Sequence, residues 1–201
     1  MDTFIGNNIT HKHALRTAAL ARRAAITEEE QAHHAAAFSS HFLRVINAAS
    51  KTVAGYWAHK HEIDVTPLLQ YLRDEGEIVC LPVTASDSRQ LIFRRWHADT
   101  IMITSAFGIP VPAPESASEN TAIIPDIVIA PLVAFDAARH RIGYGAGYYD
   151  HTLQALRQNG HKPIIIGAAH SIQQVECIPA ESHDVALDMI ITEKGVLGVD
   201  F

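Results

Sequence analysis

Residues 131–150 read PLVAFDAARHRIGYGAGYYD. The stretch leaves an apolar run, passes through a basic segment, and sets Gly143, Gly145 and Gly147 at alternate positions before Tyr148, Tyr149 and Asp150. Glycine tolerates positive φ and lets another group come close to the backbone. With a strand expected before it and a helix from about Gly147 after it, the turn is predicted to aim its amides and the helix dipole at an anion. Arg141 supplies a counter-charge for a phosphate, and Asp150, in the first helical turn, a carboxylate for a cation such as Mg²⁺. The spacing is not the dinucleotide fingerprint, whose third glycine falls one position later, and no Gly-Lys-Ser/Thr follows. The glycines alone fit a plain turn before a helix equally well.

Outward from this turn, strands and helices alternate. Upstream, residues 127–134 (IVIAPLVA) form a continuous apolar run of the kind a central parallel strand carries. Downstream, a helix to about Asn159, stopped by Gly160, leads to a strand at 163–169 (PIIIGAA), a short turn in SIQQVECIP and a last strand, MIIT, at 189–192. Earlier in the chain, residues 52–58 (TVAGYWA) read as a buried strand. A helix follows, capped by Thr66 with Pro67 at its first position and ended by Gly76. EIVCLPV then completes a β-α-β unit, which implies parallel strands and a right-handed crossover. LIFRRW at 91–96 reads as an exposed strand. FGIPVPAPESASEN at 107–120 has neither helical nor strand period and reads as a crossover loop within one domain spanning 1–201. Residues 1–9 are expected to be a loose end. A helix is expected from Thr10 to about Ala25, and Thr27 with Glu30 forms a capping box for a second helix reaching about Ala48.

The bulk properties suit this reading. The 201 residues are 48% hydrophobic and 19% charged, a globular composition. A net charge of −6 argues against general nucleic-acid binding. No apolar run approaches a membrane span, and arginines interrupt the N-terminal alanines, so a cytoplasmic protein is expected, most simply a monomer. Cys80 and Cys177 have no metal-ligand spacing and read as two buried thiols in a reducing compartment.

Several side chains carry two readings each. Lys12 and Arg16, four apart on one helix face, are a ligand-facing pair or a solvated basic stripe. The loop after the first strand lies where open α/β sheets bind ligands and carries Trp57, His59, His61, Glu62 and Asp64. Its histidines lack helical metal-binding spacing, and Trp57 suits a ligand contact or plain core. Arg94 and Arg95 suit a solvated face better than an anionic tail. Asp184 and Asp188 read, alone, as surface acids.

Taken in order, Lys12-x-x-x-Arg16, Glu62-Ile63-Asp64, the 131–150 string and Asp184-x-x-x-Asp188 before Ile-Ile-Thr-Glu resemble the motifs of the 5-formyltetrahydrofolate cyclo-ligase family from Lys12 to Glu193. The resemblance implies an α/β fold with a mostly parallel sheet flanked by helices. That fold is Rossmann-like, of the sugar-phosphate isomerase and CoA-transferase type, with a helical N-terminus. It also implies a ligase that uses ATP and Mg²⁺ to convert 5-formyltetrahydrofolate into 5,10-methenyltetrahydrofolate, with ADP and phosphate released. A non-catalytic folate-binding relative is the alternative. ATP is then expected on Lys12, Arg16, Arg141, Ile142, Gly143, Tyr144, Gly145, Ala146, Gly147, Tyr148 and Tyr149. The folate is expected on Arg16, Trp57, Glu62 and residues 144–148, and Mg²⁺ on Asp150 and Asp184. Arg141 and Tyr149 are the catalytic candidates. One departure falls inside the turn: Arg139 stands where family members often carry glycine, so the local backbone there is open to question.

Overall fold

Apolar residues alternate between two faces along each central strand, and that alternation assembles the sheet. In a computed structural model, which describes residues 2–85, 88–114, 122–179 and 185–198 with side chains from residue 10 onward, Val53, Ile127, Ile129, Ile166 and Ile191 face one core cluster. Their neighbours Ala54, Val128, Ile165 and Ile190 face another. Helices α2 (Glu28–Val45) and α3 (Thr66–Asp74) cover the first face through Phe38, Phe42, Leu68, Leu69 and Leu72, and α4 (Tyr148–Gln158) covers the second through Leu153.

Seven strands form the sheet: β1 (Thr52–Ala54), β2 (Ile78–Thr84), β3 (Leu91–Arg95), β6 (Ile127–Pro131), β9 (Ile164–Ala168), β10 (Met189–Thr192) and β11 (Gly195–Leu197). Their order is β11-β10-β9-β6-β1-β2-β3. The inner pairings, β10 with β9, β9 with β6, β6 with β1 and β1 with β2, are parallel. The outer strands β3 and β11 join antiparallel. From β1 the chain moves through α3 towards β2 on one side. From β6 it moves through α4 towards β9 on the other. The direction of winding therefore reverses between β1 and β6, and a crevice opens at their carboxyl ends. Two small hairpins complete the set, β4 (Met102–Thr104) with β5 (Pro110–Pro112), and β7 (Ala134–Phe135) with β8 (Arg141–Ile142). No helix among the described residues is long and apolar enough to cross a membrane.

The α/β class, the parallel core and the flanking helices agree with the sequence reading, and several boundaries move. Helix α1 runs Asp2–Ala24, so residues 2–9 extend a helix in place of the expected loose end; once a helix is nucleated, each further residue adds a hydrogen bond. Helix α2 ends at Val45, three residues early, but its Thr27–Glu30 capping box is present as read. β1 ends at Ala54, short of the expected Ala58, and Gly55 after it lies hard against α3: a Cβ there would sit 2.4 Å from Leu69 Cδ1. The cap of α3 is Val65, not Thr66, and the Asp64 carboxylate accepts from the Thr66 amide at 2.9 Å. The proline-rich segment expected to be a loop contains β5. Both strands of that two-stranded hairpin are edges, so its prolines cost no ladder bond. β11 follows the strand expected to be last. Cys80 is buried, its thiol pushed up to about 12 by desolvation, but Cys177 is exposed, in irregular chain after a 3-10 turn at Ser171–Gln173.

Arg139 adopts φ +68°, the left-handed conformation that glycine would take there without strain. Leu187 secures it from both sides, its amide donating to the Arg139 carbonyl at 3.3 Å and its carbonyl accepting from Arg139 Nε at 3.2 Å. The turn is thus kept in the geometry glycine would give and tied to the chain entering β10.

Candidate active site

Everything in the site hangs on the turn between β8 and α4. Gly147, at φ +72°, is the N-cap of α4 and makes no side-chain capping bond, so the first-turn amides point outward without a capping oxygen. Gly145, at φ +103°, keeps the turn open. Arg16, reaching from α1, donates Nε to the Gly143 carbonyl at 2.8 Å. Lys12 and Arg16, Trp57 and Glu62 from the loop after β1, and residues 141–150 line one cavity of about 600 Å³, a size suited to small organic ligands. All the described residues expected in the site therefore share one space at the sheet's switch point. Asp184 lies outside the described residues.

Glu62 is buried, and it ties the two halves of the cavity together. Its Oε1 accepts from the Tyr144 hydroxyl at 2.6 Å, and its Oε2 accepts from the His59 amide at 2.8 Å. Desolvation raises its pKa above the ordinary carboxylate value, opposed by the Tyr144 and His59 bonds and by the charge of Arg23. Arg23 is 2% exposed and donates to the Tyr144 hydroxyl at 2.6 Å and to the Leu132 carbonyl at 3.3 Å. Arg23, Tyr144 and Glu62 form a relay that balances a buried carboxylate against a buried cation. The sequence reading gave Arg23 no part in the site. The available signal was spacing: Lys12, Arg16, Ala19 and Arg23 step by four, three and four along one face of α1.

Asp150 and Arg141, expected to serve metal and phosphate separately, are joined. Arg141 NH2 donates to Asp150 Oδ1 at 2.5 Å, and NH1 donates to the Val185 carbonyl at 2.6 Å. The arginine side chain is 5% exposed and the aspartate 30%. Asp150 Oδ1 also accepts from the Val185 amide at 3.4 Å. A half-buried carboxylate beside uncapped amides fits Mg²⁺, which is commonly held by one or two carboxylates together with substrate phosphates.

The Tyr149 hydroxyl is buried and has no hydrogen-bond partner among the described residues. Burial, followed by the nearby Glu62 charge, drives its pKa upward, so the phenol keeps its proton as a donor. Trp57 is half-buried, edge-on to Trp96 at 6.2 Å, so it belongs to the core margin and the cavity wall at once. Phe107, on the β4–β5 hairpin, reaches the same wall and stacks edge-on against Tyr148 at 6.0 Å. Among the described residues, His59 and His61 join no metal-donor cluster: the His61 ring pairs with Gln31 and its carbonyl with His170. Arg94 is tied down at the Pro112 carbonyl, 3.0 Å away. The Asp136 carboxylate organises the base of the turn. Burial alone would raise its pKa, but bonds from the Ile178 and His140 amides and the His140 ring outweigh that and hold it below the ordinary value.

A profile of the 5-formyltetrahydrofolate cyclo-ligase family matches residues 8–193. The 5-formyltetrahydrofolate cyclo-ligase of Haemophilus influenzae is 34% identical over 182 residues, covering 90% of this chain and 96% of that protein. The Escherichia coli K12 enzyme of the same name is 33% identical over 179 residues, covering 87% and 96%. Among solved structures, the 5,10-methenyltetrahydrofolate synthetase of Aquifex aeolicus superposes with a TM-score of 0.77 at 30% identity, covering 94% of each chain.

Proposed function

From the premise that this chain belongs to the 5-formyltetrahydrofolate cyclo-ligase family, we propose that its cavity carries out the ATP-dependent closure of 5-formyltetrahydrofolate to 5,10-methenyltetrahydrofolate, releasing ADP and phosphate. The observation that carries this reading is the bond from Tyr144, between two of the glycines, to Glu62. A turn suited to phosphates thereby adjoins a carboxylate suited to the N–H edge of a pterin. A formyl group on N5 of that pterin would lie at the junction.

The chemistry asks for charge control more than for a protein nucleophile. A formamide oxygen is a poor leaving group. Transfer of the γ-phosphoryl group to it breaks the bond to ADP and makes the oxygen expellable. N10 then attacks the formyl carbon and gives up its proton to solvent, and phosphate departs with the former formyl oxygen. Lys12 and Arg16 offset the phosphate charge, and the uncapped amides of α4 hold the terminal oxygens. Asp150 would hold Mg²⁺, which when bound neutralises charge on the phosphates. Glu62 orients the pterin, Trp57 lies along it, and Tyr149 donates to the transferring group.

The deciding experiment mixes purified protein with Mg²⁺, ATP and 5-formyltetrahydrofolate and follows the methenyl absorbance. We expect one methenyl product per ADP and phosphate, and none without ATP. Product formed without ATP, or ATP consumed without product, would remove the reading.

Tyr149→Phe separates chemistry from folding. The hydroxyl has no partner to lose among the described residues, and leaving such a group buried costs about 1–3 kcal/mol. The variant is therefore expected to unfold at the same or a higher midpoint while its kcat drops by roughly 10–100-fold. An unchanged kcat would take Tyr149 out of the reaction.

A further inference from the structure

Away from this cavity, helix α2, the 3-10 turn after β9 and the turn between β10 and β11 meet at His34, His170 and Glu193. The nearest donor atoms of these three side chains lie within 4.8 Å of one another. His34 Nδ1 and His170 Nδ1 are 2.8 Å apart. His170 is fully buried and the other two are half-buried.

The protonation of the cluster can be read from its contacts. His170 Nε2 lies 3.2 Å from the His61 carbonyl, which can only accept. Nε2 therefore carries the proton, and the Nδ1 lone pair points into the cluster. Desolvation, then the neighbouring His34, pushes the His170 pKa down to about 4, so the ring is neutral at physiological pH. Burial would raise the Glu193 pKa, but bonds from the Ser171 hydroxyl and amide outweigh it and keep the carboxylate ionised.

We propose that His34, His170 and Glu193 form a binding site for a divalent transition ion of the zinc type, separate from the Mg²⁺ expected at Asp150. Two imidazole nitrogens and a carboxylate oxygen make a three-ligand set that leaves a fourth position for water. Imidazole nitrogen favours zinc-like ions over Mg²⁺. The supporting contacts are those that accompany metal ligands: the far N–H of His170 on a backbone carbonyl, and the carboxylate braced by Ser171. At tetrahedral bond lengths the two Nδ1 atoms would stand about 3.3 Å apart, a separation of about 0.5 Å beyond the present one. His34 would move its proton from Nδ1 to Nε2. The bound ion would pin α2 to the sheet's far turns and, through the His61 carbonyl, to the loop bearing Glu62.

The test uses full-length, tag-free protein stripped of metal, titrated with Zn²⁺ against a chromophoric chelator in saturating Mg²⁺. We expect one Zn²⁺ per chain, a raised melting temperature, and with Co²⁺ the visible bands of a tetrahedral complex. His34→Ala and Glu193→Gln should each weaken Zn²⁺ binding by more than about 100-fold, while Asp150→Asn leaves it unchanged. Glu193→Gln keeps the side-chain shape beside Ser171 and decides the matter if His34→Ala fails to fold. No stoichiometric Zn²⁺ in the unmodified protein, Zn²⁺ affinity within twofold of normal in these variants, or Zn²⁺ lost in Asp150→Asn would each overturn the site. In that event the facing nitrogens are an ordinary buried hydrogen bond.

Discussion

Asp150→Asn is expected to lower kcat by at least about 100-fold, the scale on which a positioned charge acts at a transition state, while the fold survives. Asparagine is the informative substitution because of Arg141. The amide oxygen can still accept from the guanidinium now 2.5 Å from Asp150 Oδ1, so the buried arginine keeps a partner and loses only the opposite charge. Asp150→Ala would take the carboxylate from that guanidinium and leave it the Val185 carbonyl. Orphaning one member of a buried pair costs up to about 3–5 kcal/mol, and less here because the carboxylate is 30% exposed. A weak alanine variant would then confound misfolding with lost chemistry. With asparagine, the Mg²⁺ concentration for half-maximal rate should rise together with the fall in kcat, and the melting temperature should move by only a few degrees. Turnover within threefold of normal would place Asp150 outside the reacting end of the cavity. The same pairing alters the expectation for Arg141: its removal unmoors Asp150 and the Val185 carbonyl, so it should disturb the metal requirement as well as ATP use.

The parts of this site carried by local pattern were legible in the sequence. The glycine turn, the uncapped start of α4, the Lys12–Arg16 face and the loop after β1 all follow from spacing along short segments. The apolar runs fixed which strands are central. What was hidden depends on partners distant in the chain. Arg23 looks like a solvated helix residue until Tyr144 and Glu62 fold against it, and His34 and His170 are 136 positions apart. The Arg141–Asp150 bond was hidden differently: each residue had been given a ligand of its own, so their mutual neutralisation went unseen. The β4–β5 hairpin was missed because prolines normally argue against a strand, a rule that relaxes where both strands are edges. Arg139 shows the reverse case. The sequence exposed a departure from glycine, and the backbone keeps glycine's geometry there, secured by Leu187.

Glu62→Gln is expected to reduce kcat/KM for 5-formyltetrahydrofolate by roughly 10–100-fold with the KM for ATP changed less than twofold, since a site built to pair buried polar groups penalises a mismatched partner. The glutamine amide can still accept from Tyr144 through its oxygen, but it presents a donor and an acceptor where the carboxylate offers two acceptors to the pterin N–H edge. The pH dependence identifies the group. Desolvation raises the Glu62 pKa in the folded protein, so the ionised form is lost on acidification at a higher pH than for an ordinary glutamate, and the acid limb of kcat/KM lies accordingly above that range. For stability the sign is opposite to that of a salt-bridged acid. A folded pKa above the unfolded one contributes stability that is complete below the unfolded value and lost as pH rises through the folded value. Glu62→Gln should therefore flatten the stability profile in mildly acidic solution. Arg23 lowers the Glu62 pKa through its charge, so Arg23→Met should move the acid limb further upward. In the Glu62→Gln background that limb is absent, and the same change should shift no limb that remains. If Arg23→Met shifts the limb equally in both backgrounds, Arg23 acts on some other titrating group, and the relay through Tyr144 is structural only.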